Sequence, residues 1–386
     1  MTSTIVKAAD AAQFLSFVPR LLGYHPTRSL VVIPFHGSRS LGAMRVDLPD
    51  TATAAVDSIA STVIGMVCRL PHADGLATVA YTGSSFGGHA GMPHRDLVEA
   101  LARRADACGL RLVDALCVTA DAWGSYLDPS CPGSGRALAD LDAVPAELAE
   151  LPAPSGDQGS GAELPAIDDA EREDVARALG AVNRAVTVLC GTDVASSAEA
   201  DEVSDESMTD EGRVDPRALA TACLLDDLPD LFEDALAWDA AALDPYRAAA
   251  LVWCLSRPSL RDVALVQWSG NLAQGDEAFD AQLRWEDGEE YPEHLAMRMW
   301  GEGDRPDPER LERALQLVRH AAAVAPRSAR PGPLSMCAWL SWALGRSTHA
   351  EAYAQRACDI EPEHGLSEIV LSFVRAGHLP EFVWSR

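Results

Sequence analysis

Lysine is almost missing from this chain: of 386 residues, 31 of them Lys or Arg, Lys7 is the only lysine. The arginine excess suits a GC-rich genome better than a chemical need, yet its consequences are chemical. A Walker loop needs a lysine after its glycines, and Schiff-base catalysis needs a buried lysine amine. Beyond Lys7, P-loop nucleotide hydrolysis and lysine-dependent aldolase or pyridoxal chemistry are therefore excluded. Positive charge is scarce altogether, with 58 Asp and Glu giving a formal net charge of −27. Binding to nucleic acid or anionic lipid depends on basic surface that releases counterions, so neither is an expected partner. The surplus suits solubility and neutral or basic partners, and it suits adaptation to salt equally well.

Long apolar runs are lacking too. No window approaches the roughly 20 residues of a membrane helix, and MTSTIVKAAD has none of the regions of a secretory signal, so a cytoplasmic protein without a membrane partner is expected. The nine cysteines (68, 108, 117, 131, 190, 223, 254, 337 and 358) never form CxxC. Most fall in apolar patterns, the usage of reduced, buried small hydrophobes rather than a disulfide framework. Zinc needs ligands clustered at short spacing, and the nearest approach, His89 and His94 in GHAGMPH, has no cysteine beside it. No metal or cofactor is expected.

What is present is an ordinary globular composition, 48% hydrophobic and 23% charged, over a length that suits roughly two to three domains. Residues 1–145 alternate between strand and helix patterns. Phe14, Leu15, Val18 and Leu22 recur at helical intervals, and Gly23 suits the left-handed position after a helix. Leu30 to Phe35 is a continuous apolar run, read as a strand covered on both faces, with Pro34 pointing to a strand end or edge. After a turn at GSRS, Met44, Val46 and Leu48 alternate with Arg45 and Asp47, which puts the two charged side chains on one face. A helix capped by Asp50 or Thr51, a strand from Leu76 to Thr82, a helix opened by Pro93 and a strand from Leu110 to about Thr119 follow. The order predicts a mixed α/β sheet with packed helices.

Residues 146–215 read as a Pro/Gly-rich linker, one helix beginning at Asp168 or Asp169, and an acidic flexible segment. That last stretch holds nine acidic residues and one arginine between Asp193 and Asp215. Residues 216–386 are alanine-rich and helical. LGRSTHAEAYAQRACDIEP places Gly345, Ala350, Ala357 and Pro362 as a tetratricopeptide repeat does, and Ala314, Ala321 and Pro326 repeat the spacing upstream. An all-α helical repeat domain of tetratricopeptide type, of roughly five to eight helices, is expected. Its tryptophans read mainly as core packing.

FVPRLLGYHPTRSLVVIPFHGSRSLGAMRVDLP, with its LLGYHP helix end, SLVV strand and RVDLP strand, resembles the actinobacterial domain-of-unknown-function family 4192. VDALCVTADAWGSYLDPSCPGSG resembles a further segment of that family. The resemblance implies no activity, but it draws attention to certain residues. His25 and Arg28 lie in a loop over the sheet and offer an acid or base and an anion contact, or simply a shaped turn. Arg45 and Asp47 suit a ligand at the open end of the sheet, or an ion pair with each other. Ser125 and Tyr126 carry the family pattern. Cys131 reads as a structural thiol that becomes a nucleophile only with a histidine beside it. Ser84, Ser85 and His89 lie in a glycine-rich loop that fits no phosphate or nucleophile motif.

With no specific catalytic motif and a helical domain suited to partners, the leading expectation is a non-enzymatic interaction or adaptor protein with an unidentified protein partner. The alternative is an α/β enzyme or small-ligand binder whose site joins the loops near His25, Asp47 and Ser125.

Overall fold

The structure, a computed structural model, describes residues 8–49, 53–87, 91–142, 153–191 and 214–384. The chain divides into two compact units, residues 1–160 and 161–386.

In the first unit α1 (Ala11–Leu22) precedes β1 (Ser29–His36), β2 (Arg39–Ser40), β3 (Met44–Asp47), α2 (Thr53–Arg69), β4 (Gly75–Tyr81), α3 (Arg95–Ala107), β5 (Arg111–Val118), β6 (Ala122–Ser125) and β7 (Arg136–Ala137). The sheet order is β2–β1–β4–β5–β6–β7, and β3 also pairs with β1. β4 and β5 run parallel, and the other neighbours are antiparallel. Because β3 and β4 both oppose β1, they are parallel to each other. The crossovers β3–α2–β4 and β4–α3–β5 then step the same way across the sheet, so a single handedness puts both helices on one face. There Val56, Val63 and Val67 of α2 and Leu97 and Leu101 of α3 bury against Leu30, Val32 and Leu76. α1 covers the opposite face, with Leu15 and Val18 on Val31, Ile33, Val79, Leu116 and Trp123.

The expected mixed sheet with packed helices is present, with corrections. β1 is not an edge, since β4 lies on one side and β2 and β3 on the other. Proline is accommodated because the pairing with β3 ends at Val32 and that with β2 begins at Phe35, so the missing N–H of Pro34 falls in the gap. The β6–β7 pair, absent from the sequence reading, extends the sheet beyond β5. The cysteines are less buried than their apolar surroundings suggest. Only Cys117, Cys254 and Cys337 are buried, whereas Cys68, Cys108, Cys190 and Cys223 are exposed at or near helix ends. The caps Asp50 and Thr51, residue His89, and the acidic segment up to Arg213 lie outside the described residues.

The second unit is helical: α4 (Asp169–Cys190), α5 (Pro216–Cys223), α6 (Leu228–Ala235), α7 (Pro245–Leu255), α8 (Pro258–Ser269), α9 (Leu272–Glu286), α10 (Glu293–Ala296), α11 (Pro308–Val324), α12 (Pro331–Ala343), α13 (Ser347–Cys358) and α14 (Gly365–Ala376). Ten of these start at or after Pro216 among the described residues, more than the five to eight expected. The reason lies in closely spaced helix starts. Asp168, Asp215, Asp227, Asp244, Asn271 and Asp307 each accept a bond from a backbone N–H two or three residues on. In three of them proline follows at once, where its fixed φ suits the first helical position. Part of the acidic surplus is thus invested in helix N-termini, where negative charge also opposes the dipole.

Every residue of α12 is buried, which makes it the central helix of the unit. Trp268, Trp339 and Trp342 are core side chains whose indole N–H groups donate to the carbonyls of Phe232, Met299 and His378.

One cap titrates. The Nδ1 of His364 accepts the Ser367 N–H at 3.4 Å, opening α14. Burial, helped by the charge of Arg261, lowers its pKa from 6.5. A depressed histidine contributes stability that is complete above its unfolded pKa and lost as pH falls below it. The helical unit is therefore expected to lose about 1 kcal/mol, the worth of an N-cap, as pH drops below about 6.5. Thermal unfolding at pH 7.5 and 5.5 tests this. The His364→Asn variant, which caps without titrating, should show a smaller difference than wild type.

Candidate functional site

The suspected residues fall into two groups within the first unit. In the first group, the α1–β1 loop is strapped down by a distant segment. His25 N–H donates to Gly156 O at 3.0 Å, and Thr27 exchanges bonds with the Gln158 amide at 3.0 Å. His25 itself is exposed, and Arg28 adopts a left-handed φ of +46°. Arg45 and Asp47 share the face covered by α1, as their alternation required, and form an ion pair with each other. Arg45 Nε also donates to the fully buried Ser29 hydroxyl at 2.7 Å. Tyr24 lies near both charges; burial raises its pKa, Arg45 lowers it and Asp47 raises it. The arginine is bound to the protein's own groups, which is an arrangement that braces β3 against β1.

The second group surrounds Ser125. In register, Asp47 pairs with Ser29, Ser29 with Tyr81, Tyr81 with Val118 and Val118 with Trp123. Four strand spacings therefore separate β3 from β6, roughly 19 Å. One crevice joining His25, Asp47 and Ser125 is not formed. Tyr126 points to the opposite face from Ser125, where its hydroxyl donates to Pro93 O and Arg95 lies 5.7 Å from its ring. Burial raises the Tyr126 pKa, and the side chain acts as a clamp. Cys131 packs in the same small cluster, with its sulfur 3.8 Å from Pro132 O. In the glycine-rich loop, Phe86 N–H donates to Asp121 at 2.9 Å, and Ser84 O accepts from Ala120.

Ser125 opens onto a groove of about 680 Å³ on the α1 face. Ser125 Oγ donates to Asp114 at 2.7 Å and accepts from Leu127 N–H at 3.2 Å. Across the groove Arg136 pairs with Asp128 at 2.5 Å and stands 5.1 Å from the centre of the Trp123 ring. Bonds from Ser130 and then Arg136 hold the Asp128 carboxyl down at about 2. Asp10 at the start of α1 and Asp140 complete four carboxylates against one guanidinium, while Val113 and Leu127 add exposed apolar surface. Ser125 has a carboxylate rather than an imidazole as its partner, so its hydroxyl is oriented but not activated. Among the described residues no group of three or more His, Cys, Asp and Glu side chains is placed to hold a metal.

Ser125 was legible from the family segment, but Asp114, Trp123, Asp128 and Arg136 were not singled out as site residues. The available signal was Asp114, one carboxylate inside the apolar strand run LVDALCV.

A family model described as Domain of unknown function (DUF4192) matches residues 12–381. No curated protein and no solved structure matches the chain.

Proposed function

This chain belongs to the DUF4192 family, and we propose that it is a non-enzymatic binding protein whose first unit holds a basic segment of a protein partner in the groove beside Ser125. The observation that carries the proposal is the lining: four aspartates, one arginine already paired to Asp128, and the exposed side chains of Val113 and Leu127. Such a surface favours a ligand with both cationic and aliphatic groups, and the −27 charge of the chain raises the encounter rate with it.

The helical unit fits this role as a scaffold of tetratricopeptide type. Ala314, Ala321, Ala350 and Ala357 are all fully buried, as small residues at close helix contacts would be. A cytoplasmic setting belongs to the same proposal. It is supported by nine free cysteines and by the lack, among the described residues, of a helix long and apolar enough to cross a membrane.

Calorimetric titration with an acetylated Arg-Leu-Arg-Leu peptide tests the proposal. Binding should weaken at least tenfold in the Asp114→Asn, Asp140→Asn double variant and fall with added salt, and a Glu-Leu-Glu-Leu peptide should not bind. Equal affinity in the double variant would place any basic-peptide binding elsewhere on the acidic surface and refute the groove.

A further inference from the structure

A pocket of about 480 Å³ opens in the helical unit between the chain at Met297 to Gly303 and the chain at His378 to Trp384. Its side chains are Met297, Trp300, Glu302, His378, Glu381 and Trp384. The walls are fixed to each other. Phe382 N–H donates to Gly301 O at 2.7 Å, and Phe382 is buried. Gly301 has φ +79°, and a Cβ there would lie 2.7 Å from Pro380, so the two chain segments touch as closely as backbone allows.

Behind the pocket stands an aromatic cluster. Trp342 stacks on His378 at 6.0 Å, and Phe373 lies 4.7 Å from Trp342 and 5.0 Å from Trp300. Trp300 is braced by Phe373 yet remains 45% exposed. The face of an indole ring is electron-rich, and Glu302 adds a carboxylate. Among the described residues no Lys or Arg lines the pocket; the nearby Arg298 spends its guanidinium on Ser269 and on the carbonyls of Glu302 and Asp304.

This lining selects by charge and by hydration. The Glu302 carboxylate repels an anion, and a bare ammonium ion must give up strong hydrogen bonds to water. A quaternary ammonium carries its charge on a methyl surface, which packs on indole and is attracted by both ring and carboxylate. We propose that the pocket binds the quaternary ammonium group of a small soluble molecule. The proposal rests on the helical unit alone and is independent of the groove beside Ser125.

The test is calorimetric titration of the full chain with choline and with 3,3-dimethylbutanol, its neutral isostere. Choline should bind at least tenfold more tightly than the isostere. Trp300→Ala should weaken choline at least tenfold and Glu302→Gln several-fold, both with unchanged melting temperature because both side chains are exposed. Equal binding of the two probes, indifference to both substitutions, or no choline binding at tens of millimolar would each overturn the proposal. Should Trp300→Ala lower the melting temperature, Glu302→Gln and the isostere comparison still decide the matter.

Discussion

Replacing Gly332 with alanine is expected to destabilise the helical unit by about 3 kcal/mol or more, the upper range for forcing atoms into a packed core. Gly332 lies in the first turn of α12, where an added Cβ would run into the carbonyl oxygen of Leu255, come to 2.8 Å from its carbonyl carbon and to 3.0 Å from Ser256 Cα. All three obstacles are backbone atoms at the end of α7, so no side chain can rotate away. Relief requires α12 to move, and α12 is buried along its whole length. A melting temperature lower by roughly 10 °C is the expected readout for a unit of this size. Gly365→Ala is the control, since its Cβ would meet nothing within 4 Å. That variant should melt within a degree or two of wild type.

The second large effect is expected at Arg298. The side chain is 5% exposed, and its guanidinium donates to Ser269 Oγ at 2.9 Å, to the Ser269 carbonyl, to Glu302 O at 3.2 Å and to Asp304 O at 2.6 Å. These are mostly carbonyl acceptors, so the residue works as a buried strut that ties the end of α8 to the chain beyond Trp300. Arg298→Ala would strand several acceptors at about 1–3 kcal/mol apiece, and a loss of about 4 kcal/mol is expected after partial rehydration. Arg298→Lys should recover only part of it, because a single ammonium cannot reach four acceptors in a planar fan. Urea unfolding of the two variants measures both. A loss below 1 kcal/mol for Arg298→Ala would mean that water replaces the guanidinium without cost.

Much of the first unit could be read from periodicity. A continuous apolar run marked β1, largely apolar stretches marked β4 and β5, and the alternation of Met44, Arg45, Val46 and Asp47 put the ion pair on the correct face. Local signals have limits, and the misses share that cause. The four-residue β6 and two-residue β7 are too short for a pattern to stand out. The anchoring of the α1–β1 loop depends on Thr27 meeting Gln158, 131 residues away, in a stretch whose composition resembles a linker. Pro34 pointed to a strand end or an edge because a sequence shows the missing donor but not the gap opposite it.

The site was half legible for the same reason. Ser125 and Tyr126 are adjacent in sequence and so lie on opposite faces of the sheet, one in the groove and one in a clamp. The groove itself draws on the start of α1, on β5, on β6 and on the chain around Asp128 to Asp140. The register of β5 with β6, the pairing of β6 with β7 and the packing of α1 on the same face bring those pieces together.

An NMR titration of the full chain with the Arg-Leu-Arg-Leu peptide, following the Trp123 indole N–H and the amides of Val113, Asp114 and Leu127, locates the basic segment on the first unit. With a basic segment held in the groove, these signals move together along one binding curve, and the Asp114→Asn, Asp140→Asn variant shifts that curve to higher peptide concentration. Shifts that leave Trp123 and its neighbours in place while others move would contradict that placement, because the basic partner would then be held somewhere other than the groove.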